Sequence, residues 1–203
     1  MKKHILAFTT AALLASAPSL AKINVGPESD FDYSSITLGI GQYEVEGYDF
    51  ANSISISASQ AVSEHFYIKG SYESIQPDYT WIDSDSNYSI LGGYKHNFDD
   101  TNFSLYTSVG LGFGSYTIDD DLVFLSDIGF KYAITYDLMV GSSMNFILSE
   151  ESHEYIFDVS ADYFFTNSFS LGLEYKMSDE ISSSEDIAIF SSSYLGLNAK
   201  IKF

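Results

Sequence analysis

Acid–base chemistry near neutral pH falls first to histidine, and this chain has four. His153 stands among Glu151, Ser152 and Glu154, so an imidazole, a hydroxyl and carboxylates share one short stretch. Those groups can build a hydrolytic triad across loops. His65 and His96 fall at the opposite end of their segments from His153. A single loop histidine beside acids is more often simply solvated, so no catalytic residue is assigned. Asp119-Asp120-Asp121 offers oxygen ligands of the kind Ca²⁺ takes, but without the spacing of an EF-hand loop. No metal ligand or cofactor is expected. The absence of cysteine excludes thiolate metal sites, thiol catalysis and a disulfide scaffold. There is no Gly-rich phosphate loop, no His-Glu-x-x-His and no Walker motif. Nine basic residues, all lysine, stand against 28 acids for a net charge of −19. Such a surface repels phosphate backbones, so nucleic acid is excluded as a partner. Sixteen Tyr and sixteen Phe are too many for a disordered acidic chain.

The remaining chemistry lies in lysines and carboxylates that recur at alternate positions, which requires extended strands to position them. Leu195 to Phe203 is the clearest case, with every odd residue apolar and Gly196, Asn198, Lys200 and Lys202 between them. The pattern repeats around Ile36–Ile40, Ile54–Ala58, Phe66–Tyr72, Tyr88–Tyr94, Phe103–Phe113, Ile128–Ile134, Leu138–Phe146, Tyr155–Tyr163 and Phe169–Met177. Sorted by parity, Lys69, Lys95, Lys131, Lys176, Lys200 and Lys202 share the polar face with Glu73, Asp127, Asp158, Asp162 and Glu174. A lysine facing lipid at mid-bilayer costs roughly 2–4 kcal/mol, so this segregation points to a wet interior and an oily exterior. The inward residues of the first, second and fifth segments are mostly Ser and Gly, leaving room for long side chains from the other wall. A lumen closed by ion pairs and hydrogen bonds is therefore expected, with a narrow selective channel as the alternative.

Most of the ten segments approach the ~9–11 residues of a tilted transmembrane strand. Short links are expected near 61–65, 97–102, 135–137 and 164–168, and longer ones near 43–51, 75–86, 116–126, 148–154 and 178–188. Aromatics gather at the strand ends: Phe66, Phe98, Phe103, Phe164, Phe165, Phe169 and Phe203 at the short-link end, and Tyr43, Tyr72, Tyr88, Phe113, Phe146, Tyr155 and Tyr175 at the other. Two such belts fit the two interfaces of a membrane. In hydrocarbon every strand amide needs a partner, so the sheet must close on itself. The fold expected is all-β, an antiparallel up-and-down barrel of ten strands, with eight as the competing count and a secreted sandwich as the soluble rival. The long links carry sixteen acids, from Glu44 to Asp186, and no lysine. Trp81, within Tyr79-Thr80-Trp81-Ile82, is a candidate anchor for a partner.

Residues 1–21 have the layout of a secretory leader: Lys2 and Lys3, a short apolar run from Ile5 to Leu14, then Ser19 and Ala21 as the small residues of a cleavage site. Cleavage after Ala21 would leave 22–203 as the barrel. The leader, the alternating segments and the terminal Leu195–Phe203 strand resemble the small outer-membrane β-barrels of Gram-negative bacteria, the OmpA/OmpX-type group. The resemblance is one of architecture and carries no functional motif. It implies a monomer in the outer membrane after export across the inner membrane, surrounded by lipids including lipopolysaccharide. It also implies that the barrel-assembly machinery recognises Phe203; a C-terminal periplasmic domain of the peptidoglycan-binding kind is not expected in this chain. A structural, adhesive or surface-contact role is expected, with the narrow channel and a rim enzyme at His153 as rivals.

Overall fold

The computed structural model describes residues 31, 33–45, 51–77, 85–98, 101–114, 121–149, 152–182 and 190–203. The leader with Ala21, Trp81 and the Asp119-Asp120 pair lie outside the described residues. Ten strands follow in order: β1 (Ser35–Val45), β2 (Ala51–Ala61), β3 (Phe66–Pro77), β4 (Asp85–Asn97), β5 (Phe103–Gly114), β6 (Asp121–Ala133), β7 (Leu138–Leu148), β8 (Ser152–Thr166), β9 (Phe169–Ser182) and β10 (Phe190–Lys202). Each pairs antiparallel with its sequence neighbours, and β1 pairs with β10, so the sheet is a closed barrel. A sandwich would need two sheets, and there is one.

Closure sorts the side chains. Leu38, Ile40, Ile54, Ile90, Val109, Ile128, Leu173, Leu195 and Leu197 lie on the outer wall, each more than half exposed. A continuous apolar band of that extent is the surface a bilayer covers. Two of the hydroxyls on this wall are satisfied locally: Thr107 donates to the carbonyl of Asp127 at 2.7 Å and Ser142 to that of Asp158 at 2.9 Å. Neither needs water, which hydrocarbon cannot supply.

The short connections are 62–65, 98–102, 134–137 and 167–168. Hydroxyl residues fix three of them by accepting backbone N–H groups. Ser63 Oγ accepts from Phe66, Thr135 Oγ1 from Asp137 and Leu138, and Thr166 Oγ1 from Ser168 and Phe169, all at 3.0–3.3 Å. At the other end the strands run further than the apolar alternation foretells. The 148–154 link shrinks to 149–151, and Glu44, Asp85, Asp121, Glu154, Asp179 and Glu180 belong to strands rather than loops. Beyond the hydrocarbon a ladder can continue without apolar outer residues, so hydrophobic patterning underestimates its length.

Ring pairs mark both ends. Phe66–Tyr94, Phe98–Phe103, Phe103–Phe130 and Tyr163–Phe165 stand 5.1–5.7 Å apart near the short turns, while Tyr72–Tyr88 and Phe146–Tyr155 stand at 4.9 and 5.6 Å toward the other end. Two residues expected in these belts are inside instead. Tyr43 shares the parity of Gly39 and Gly41, and Phe164 that of Asp158 and Asp162, so both turn inward.

Candidate functional site

The lumen begins with a floor. Phe31 and Tyr33 precede β1 and fold into the bore, 2% and 6% exposed. Phe31 packs with Ala133, Met139 and Phe164, from β6, β7 and β8. Its carbonyl accepts a hydrogen bond from Lys95 Nζ of β4 at 3.2 Å. Tyr33 stacks on Tyr67 of β3 at 4.5 Å and meets Tyr106 of β5 edge-on at 5.8 Å, and its carbonyl accepts from the Ser59 hydroxyl of β2. A short segment that touches β2 through β8 crosses the whole bore. Lysines brace it: Lys131 Nζ lies 4.0 Å and Lys95 Nζ 5.1 Å from the Tyr33 ring centre, and Lys202 Nζ lies 4.1 Å from that of Phe164. A desolvated cation over an aromatic face contributes up to ~2 kcal/mol. The Ser34 hydroxyl accepts from the Ala61 amide and the Gln60 side chain at 3.2 Å, and the Ser34 carbonyl accepts the Phe203 amide at the same distance. Phe203 thereby fastens the end of the chain to the base of the barrel.

Small residues admit large neighbours, from an adjacent strand or from the same one. A Cβ at Gly93 would overlap the Tyr67 ring, and one at Gly41 or Gly196 the Tyr194 ring. Tyr194, 2% exposed, faces Tyr43 at 4.7 Å and lies under Lys176 Nζ at 4.6 Å. Tyr43 donates to Glu73 Oε1 at 3.0 Å.

Above the floor lies a cavity of about 380 Å³, with Tyr33, Tyr67 and Tyr106 among its lining. One wall is hydroxylic: Ser35 and Thr37 of β1, Ser55, Ser57 and Ser59 of β2, and Ser71 of β3. Charges begin on β3, on either side of Ser71, and continue around the rest of the wall. Lys69, Glu73, Asp127, Lys131, Asp158, Asp162, Glu174, Lys176 and Lys200 all line the cavity, whereas Lys95 and Lys202 stand at the floor. Two ion pairs form among the described residues, Lys200 with Asp162 and Lys176 with Glu174 at 3.5 Å. Asn198 adds a bond to Glu174 Oε2 at 3.2 Å. The dense ionic network expected from the alternation is thus replaced in part by lysines resting on rings.

Part of the inner wall is apolar. Leu91, Val123, Leu125 and Ile147 form a buried cluster with Ile156 against it. The register explains it: Gly110 of β5 lies between Leu91 and Leu125, and Gly112 faces Val123, so side chains from β4 and β6 close over a bare strand. Sequence reasoning missed this patch and the floor. Both had a signal, in the apolar residues on the inward parity and in Phe31 and Tyr33 continuing the parity of β1 past its start.

His153 is exposed near the start of β8, between Leu148 and Ile181 in register. Glu154 is the next residue on the same strand and points to the opposite face, so the two are not brought together. No group of three metal-ligating side chains occurs among the described residues.

No protein-family model matches the chain, and no curated protein matches it in sequence. Among solved structures it is similar to the KdgM porin, at 12% identity over 82% of this chain and 99% of that one, with a TM-score of 0.45. It is similar to the NanC porin at 9% identity over 82% of this chain and 100% of that one, TM-score 0.49. An outer membrane channel from Pseudomonas putida F1 matches at 8% identity over 93% and 99%, TM-score 0.47.

Proposed function

We propose that this chain is an integral outer-membrane barrel of a Gram-negative envelope that works as a structural or surface-contact protein and not as an open pore. The observation that carries this reading is the floor, which puts Phe31 and Tyr33 across the bore and braces them from seven strands. The apolar outer wall and the paired aromatics at both ends support residence in a bilayer. In this reading the chain is exported by its leader, cleaved after Ala21, inserted through recognition of Phe203 and held as a monomer among lipids including lipopolysaccharide. It carries out no reaction of its own. The cavity above the floor favours a second reading, a narrow channel that conducts when the floor is displaced. Swelling of proteoliposomes in a small neutral sugar separates the two. The same rate as empty liposomes is expected, and a rate that climbs with protein load would overturn the closed reading.

A further inference from the structure

We propose that the lumenal cavity binds a small zwitterion, a molecule of about dipeptide size with an ammonium and a carboxylate a few atoms apart. The charges lining the cavity are layered. Counting along each strand from the short turns, Lys69, Lys131 and Lys200 stand third or fourth, with Asp162 fifth beside them. Glu174, Asp127 and Asp158 stand sixth, seventh and ninth, with Glu73 and Lys176 both eighth.

Within each layer one group is uncommitted. Glu174 is engaged by Lys176 and Asn198 and shares a hydrogen bond with Asp158, but Asp127 is only 8% exposed and its Oδ1 makes no hydrogen bond to any protein group. A buried carboxylate oxygen without a donor is costly, and its residue is among those lining the cavity. Among the lysines, Lys200 is tied to Asp162 and Lys131 rests on Tyr33, whereas Lys69 forms no ion pair with a described residue. The cavity therefore presents an anion acceptor above and a cation below, with hydroxyls between them.

A free anion would gain from Lys69 but meet the carboxylates. A free cation would gain from Asp127 but meet the lysines. A molecule carrying both charges satisfies both ends with charge-assisted hydrogen bonds, the stronger kind. The volume lies at the small end of the range for ligand pockets, roughly 300–1,000 Å³. Binding does not depend on whether the lumen conducts, so its failure and the failure of the closed-pore reading are separate results.

The test is titration calorimetry on the refolded chain in detergent micelles, with three probes: glycylglycine, N-acetylglycylglycine, which lacks the ammonium, and glycylglycinamide, which lacks the carboxylate. Glycylglycine is expected to bind at least about tenfold more tightly than either blocked compound, a difference of ~1.4 kcal/mol. Asp127→Asn is expected to reduce glycylglycine to the level of the N-acetyl compound while leaving that compound's affinity unchanged. Lys69→Met should do the same relative to the amide. Absence of heat from glycylglycine, equal affinities for the three probes, or an unchanged glycylglycine affinity in Asp127→Asn would each overturn the proposal. Should a variant not fold, as judged by its gel mobility before and after boiling, the three probes on the unaltered chain still decide.

Discussion

The two halves of the lumen are filled by different means. The base holds residues that belong to no strand: Phe31 and Tyr33 enter from outside the ladder and are held by stacking, by lysines over rings and by single hydrogen bonds. The upper half is narrowed around its cavity by side chains rooted in the barrel itself, with Leu91, Val123, Leu125 and Ile147 on one side and Tyr43, Tyr194 and Glu73 on the other. A stopper added to a wall can be removed while the wall stays paired. A filling that grows out of the wall cannot be removed without loosening the strands that carry it. Blockage and stability should therefore separate at the base and coincide higher up.

The largest effect is expected from Phe31→Ala combined with Tyr33→Ala. Each change removes a buried ring, a loss of about 3–5 kcal/mol in a well-packed core, yet no ladder hydrogen bond is touched. The double variant should still migrate as a folded barrel before boiling, with a lowered urea midpoint and a conducting lumen. Leu125→Ala probes the upper half. It leaves a hole in the apolar patch, costs about 2–4 kcal/mol in urea unfolding, and should leave the lumen silent because the floor is intact. Gly93→Ala lies between the two cases: its new methyl group meets the Tyr67 ring on which Tyr33 stacks. Overpacking of about 1–3 kcal/mol should appear together with partial leakage through a disturbed floor. The smallest effect is Tyr43→Phe, which removes the bond to Glu73. A loss of about 0.5–1.5 kcal/mol with no conductance is expected from the same unfolding measurement.

The barrel itself was legible in the sequence because its sorting rule is local. Along Leu195–Phe203 or Phe103–Phe113 the next residue but one always faces the same solvent, so parity alone separates lipid from lumen. Other features answer to a second condition. Tyr43 and Phe164 obey parity, but their aromatic character at a strand end suggested a belt residue. At Asp85, Asp121 and Asp179 strand pairing persists after the apolar pattern stops. The floor depends on contacts from Tyr33 to Tyr67 and Tyr106, rings distant in sequence that only closure of the barrel brings together. No periodicity encodes such a meeting.

The most direct test is single-channel recording in a planar bilayer, with the unaltered chain and the Phe31→Ala, Tyr33→Ala double variant side by side. The account predicts silence from the first and discrete conductance steps from the second, with both proteins folded. Steady steps from the unaltered chain, or silence from a folded double variant, would contradict it.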